Sequence, residues 1–160
     1  MIFKPSRYLV LLLCLFGFVD MATAAEPPMI PVGVAKIDIT PDFPVRLSGY
    51  SSRNSPSEGA AQRIWAKALA LGADEETALL ITVENCGAPA SLVDDLHERI
   101  ASTGLRRGNL SLSWSHSHTA PWLHGFAPFL AREPVPQEHQ DQRTRYGEEL
   151  LDRLTQVALK

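Results

Sequence analysis

The stretch "TALLITVENCGAPASLVDDLHERIASTGLRRGNLSLSWSHSH", Thr77 to His118, decides the fold. It opens on a nearly continuous apolar run, Ala78 to Val83, of strand length, which predicts a strand buried on both faces. Ser91 with Asp94 three residues on has the form of a capping box. Leu92, Val93, Leu96 and Ile100 then recur at helical spacing as far as Gly104, a natural stop. From Leu110 the chain alternates: Leu110, Leu112, Trp114, His116 and His118 fall on one face of a strand, and Ser111, Ser113, Ser115 and Ser117 on the other. Strand, helix, strand in this order predicts a βαβ unit with parallel strands and a right-handed crossover.

Working outward, "VGVAKIDIT" (Val32 to Thr40) reads as a first strand halted by Pro41. From Asp42 to Gly59 Gly, Ser, Asn and Pro are dense enough for a long irregular loop that includes "LSGYSSR", and loops of that length are often functional. "RIWAKALAL" before "GADEE" predicts a strand turning into the Ala78 strand. Downstream, Tyr146, Leu150, Leu151, Leu154, Val157 and Ala158 form one helical stripe within Asp141 to Lys160. No cap ends it, so a natural chain continuing past Lys160 is expected. The fold class expected is α/β, a mixed sheet with a βαβ unit and flanking helices. It would be an incomplete portion of a larger catalytic domain, since such a domain needs more strands to cover both faces.

Lys4 and Arg7, an apolar run from Tyr8 to Val19 and the small residues Ala22 to Ala25 have the order of a secretory signal over residues 1–24. Cleavage is expected after Ala24, with Ala25 the alternative. The run falls short of the ~20 residues of a membrane span. Leu13 before Cys14 is unlike a lipoprotein signal, which has a small residue there. Residues 25–160 would form one exported domain, secreted or periplasmic, with Cys86 its single thiol and so no intrachain disulfide. Losing Lys4, Arg7 and Asp20 removes two positive charges and one negative, so the formal charge goes from -3 to -4. A mildly acidic chain without a basic block argues against nucleic acid or an anionic membrane surface as partner.

The chemistry is concentrated in "LSLSWSHSHTAPWLHG", Leu110 to Gly125. Side chains two apart on a strand lie about 6–7 Å apart on the same side, so two imidazoles can converge on one small site. Pro121 ends the segment at the C-terminal end of the strand, where open α/β sheets place ligands. Neutral imidazole is a common zinc ligand, and a catalytic zinc needs three protein ligands plus an open position. His124, His139 and His97 are more distant candidates, and neither His-Glu-x-x-His nor His-x-His-x-Asp-His is present. The residues alone also admit a polar strand end, with His97 on a helix surface and His124 and His139 in a Pro-rich loop. Glu84 reads as an interior carboxylate or, favoured by the Asn85-Cys86-Gly87 turn beside it, a group supporting the histidines. Trp114 reads as core. Trp122, in an exposed-looking loop, reads as packing or as the wall of an apolar pocket.

Taken in order, "VAKIDITPDFPVRLSGYSSR", "WAKALAL", "ALLITVENCG" and "LSLSWSHSHTAPW" resemble the N-terminal catalytic domain of the neutral/alkaline, non-lysosomal ceramidase family. The resemblance covers most of residues 25–160. It implies a zinc-dependent amidase that cleaves the N-acyl bond of ceramide or a related amide, with Zn2+ as cofactor. It implies that His116 is a zinc ligand and that His118 lies close to the reacting amide. The family's other ligands, a histidine, a glutamate and a tyrosine, come from later in its domain and would lie beyond Lys160. Ser115, Ser117, Thr119 and Ala120 differ from the family's His-Thr-His-Ser-Gly-Pro form, and Trp122 stands where that form has a glycine, a bulky indole near the site mouth that bears on which amide, ceramide or a related one, is admitted. The alternatives from other classes are a secreted metal- or ligand-binding module without turnover, and an inactive fragment of a longer hydrolase.

Overall fold

The computed structural model describes residues 29–131 and 133–160. The expected signal segment, residues 1–24, lies outside the described residues. Four strands form one sheet in the order β1 (Val32–Asp38), β2 (Trp65–Leu71), β3 (Ala78–Val83), β4 (Leu110–Trp114). The first three run as an antiparallel meander, with Ala66 opposite Val83 and Leu71 opposite Ala78. β4 pairs parallel to β3, Val83 opposite Trp114. The connection between them is helix α1 (Ser91–Arg99), so the βαβ unit and the mixed α/β sheet are both present. Helix α2 (Gln137–Ala158) packs on β1, β2 and α1, while α1 also packs on β4.

Among the described residues, only one face of the sheet is covered. β3 alternates, with Leu79, Ile81 and Val83 buried and Ala78, Leu80 and Thr82 exposed, which corrects the expectation of a strand buried on both faces. Its apolar run is continuous, but both helices lie on the same side. The covered face meets Leu92, Leu96 and Ile100 at the α1 end and Tyr146, Leu150, Leu154 and Val157 of α2. Each such side chain contributes about 1.5–3 kcal/mol on full burial. Tyr146 also ties α2 to the end of β1, its hydroxyl donating to Ile39 O at 2.9 Å.

Two boundaries differ from expectation. Ser91 is the first helical residue and not a cap: Ala90 occupies the N-cap with no side-chain bond, so the capping box does not form. Gly104, at φ +75°, ends the short 3-10 turn that prolongs α1, a left-handed position that favours glycine. α2 begins at Gln137, just after Pro136, earlier than its apolar stripe announces. Its first turn is polar because it is solvent-facing. None of the helices among the described residues is long and apolar enough to cross a membrane.

Candidate metal centre

The parallel pair sets the site. β3 and β4 end side by side, and the segments leaving them remain bonded: Ser115 N donates to Val83 O at 3.0 Å and Ser117 N to Asn85 O at 3.3 Å. Buried Asn85 shapes the first exit by accepting from the backbone N–H of Cys86 (2.6 Å) and Gly87 (3.4 Å). Gly87 is closed in by Phe126, whose ring occupies the space a Cβ would take.

The histidines leave the strand. β4 stops at Trp114, and His116 takes a left-handed backbone, φ +58°. The alternation expected to carry both imidazoles on one strand face therefore ends two residues too early. They meet nonetheless, His116 Nε2 and His118 Nε2 lying 3.2 Å apart with rings edge to face. A non-glycine residue at positive φ is uncommon and strained. Here it turns the His116 ring toward the β3 exit, where Nδ1 lies 3.1 Å from Cys86 O and 3.7 Å from Cys86 Sγ.

Cys86, His116 and His118 place one potential ligand atom each within 4.8 Å of one another, a group that could hold a metal ion. His116 is exposed, His118 half-buried and Cys86 buried. Burial pushes the Cys86 thiol up, against a smaller lowering by hydrogen bonding with Ser48. Sequence reasoning passed over Cys86; its signal was a thiol three residues past one parallel strand, opposite a histidine two residues past the other.

The two imidazoles are held differently. His116 Nδ1–H donates to the Cys86 carbonyl, which leaves the lone pair of the neutral ring on Nε2. His118 Nε2–H then donates to that lone pair. His118 Nδ1 has no hydrogen-bond partner among the described residues; the ring packs against Gly49 and, at 5.0 Å between centroids, against Tyr50. The loop read as "LSGYSSR" thus reaches the site. It is anchored by Ser48 N to Ala120 O (3.0 Å), an antiparallel bridge between Leu47 and Pro121, and the Arg53 guanidinium, which donates to His118 O and stacks over Tyr50 at 4.7 Å.

The other candidates stand apart. Glu84 accepts from Trp65 N (3.1 Å) and pairs with Lys67 (3.2 Å), so it braces β2 and not the histidines. His97 is half-buried with Nε2 bonded to Leu105 O at 2.9 Å, a brace and not a free surface residue. His139 lies in the first turn of α2 rather than a loop. His124 is exposed on the loop after the site. Trp114 flanks the core as expected, whereas Trp122 is buried, its indole N–H donating to Phe126 O at 2.7 Å. No protein-family model matches the chain, and no curated protein matches it.

Proposed function

We propose that this chain carries the first part of a zinc-dependent hydrolase of the neutral/alkaline ceramidase type, acting on the N-acyl bond of a lipid-like amide. The observation that carries the reading is the unequal holding of the two histidines. A metal-ligating histidine almost always donates its second ring N–H to a carbonyl or carboxylate, which fixes the tautomer and directs the other nitrogen at the ion. His116 has that arrangement through Cys86 O, so its Nε2 suits a zinc ion that would take the place of the His118 N–H it accepts here.

His118 has no such partner and fits the other role, a group that moves a proton. Its Nε2–H, freed from His116 once an ion takes that lone pair, would meet a substrate held beside His116 and is placed to donate to a developing oxyanion. Zinc, when bound, supplies Lewis acidity toward the amide carbonyl and toward water. Tyr50 walls the His118 ring on the solvent side, and Arg53 fixes the backbone that carries it.

A second reading has its own observation: the Cys86 thiol is near enough to join both imidazoles, which suits a metal-binding module without turnover. The two separate on hydrolysis. Protein stripped with a chelator and assayed on an N-acylated sphingoid amide should be inactive and regain activity with zinc. Hydrolysis indifferent to the chelator would contradict the enzyme reading, and metal binding with no hydrolysis under any loading would favour the module.

A further inference from the structure

Away from the histidines, two arginines are buried with no carboxylate paired to them among the described residues. Arg46 and Arg143 are each only 5% exposed, and among the described residues neither forms an ion pair. Both lie over the Trp122 ring, Arg143 at 3.7 Å from the centroid and Arg46 at 5.6 Å. Burial, helped by the neighbouring charge of Arg46, holds the Arg143 guanidinium down to about 10. Removing one charge from water costs several kcal/mol even after relaxation, and two like charges repel as well. Cation–π contacts with the indole offset only part of that cost.

Arg143 lines a cavity of 270 Å³ between α2 and the loop after the site, with Trp122, His124, Pro128, Val135 and Gln140. Among the described residues, no carboxylate lines it. Two guanidinium nitrogens are engaged: Nε donates to Trp122 O at 3.2 Å and Nη2 to Leu123 O at 3.0 Å. Guanidinium has five N–H donors, so Nη1 and the second hydrogen of Nη2 remain, the pair that matches a carboxylate bidentately. Water-sized volumes of ~30 Å³ fill the cavity several times over, so it admits more than an anionic head. Its indole, proline and valine walls suit a short apolar chain.

We propose that this cavity binds a small monocarboxylate with a short apolar chain, held by the free edge of Arg143. The binding neutralises a charge the fold leaves uncompensated, and it does not depend on the metal reading.

Butyrate titrated into the wild-type protein, followed by NMR at the Trp122 indole N–H, tests it. Saturable binding is expected, with neutral butyramide and inorganic phosphate each weaker by about tenfold or more. Val135→Trp should fill the cavity while leaving the bonds of Arg143 in place, and should weaken butyrate by a similar factor. Equal binding of butyramide, equal or tighter binding of phosphate, or no saturable shift with butyrate would overturn the proposal on the wild-type protein alone. Unchanged butyrate affinity in a folded Val135→Trp variant would overturn the location.

Discussion

Gly49 and His118 meet with no room for a side chain between them: a Cβ on Gly49 would overlap the His118 ring at Cγ and Nδ1. The glycine also sits at φ +96°, which an L side chain rarely adopts. The ring position of His118 is therefore set from outside its own segment, by the backbone of the Gly49–Tyr50 loop.

Gly49→Ala must push the His118 ring or the loop aside. The variant is expected to retain metal, because the Cys86 carbonyl that fixes His116 is untouched, and to lose amide hydrolysis by about tenfold or more, since misplacing a catalytic group by ~1 Å can cost 10²-fold. Metal content and hydrolysis rates measured on one preparation check this. Full activity would show that His118 needs no such positioning.

Cys86 separates the two readings of the site. If its carbonyl and not its sulfur serves the metal, Cys86→Ser should keep zinc affinity within a few-fold, and the cobalt-substituted protein should show no thiolate charge-transfer absorption. Loss of metal by the serine variant, together with such a band in the wild type, would make the thiol a ligand and favour the binding module.

Asp38, at the end of β1, gives a pH dependence. Desolvation is the largest single influence and raises its pKa, but the hydrogen bonds from Thr40 and the pairing with Arg63 together outweigh it, so the net shift is downward from 3.8. A carboxylate depressed in the folded state stabilises it above the unfolded pKa, and that stability is lost as pH falls through the folded value. Asp38→Asn should therefore be less stable than wild type at pH 7, and the gap should close below about pH 4. Thermal unfolding of both proteins across that range measures it; a gap persisting unchanged at low pH would mean the carboxylate charge is not responsible.

Local patterning read the strands of the βαβ unit, the hairpin into it and the stripe of α2 correctly, because 2- and 3.6-residue periods follow directly from which face a neighbour covers. It overstated the burial of β3, because whether a second layer covers Leu80 is a tertiary matter absent from any six-residue window. The histidine pair was legible, but its cause was not. His116 and His118 were expected to converge by strand alternation, and instead they meet after β4 has ended, through the positive φ of His116. Cys86, Gly49 and Tyr50 were quoted in the sequence without a place at the site, since only the parallel register and the Leu47–Pro121 bridge bring their segments to it.

If His116 holds the metal while His118 acts on the substrate, the most direct test is elemental analysis beside amide hydrolysis for His116→Ala and His118→Ala. The account predicts that His116→Ala loses both zinc and activity, and that His118→Ala keeps most of its zinc while losing roughly 10²-fold or more in rate. Equal zinc loss in both would make them joint ligands and contradict the division of roles. Unchanged hydrolysis in both would remove the histidines from the chemistry altogether.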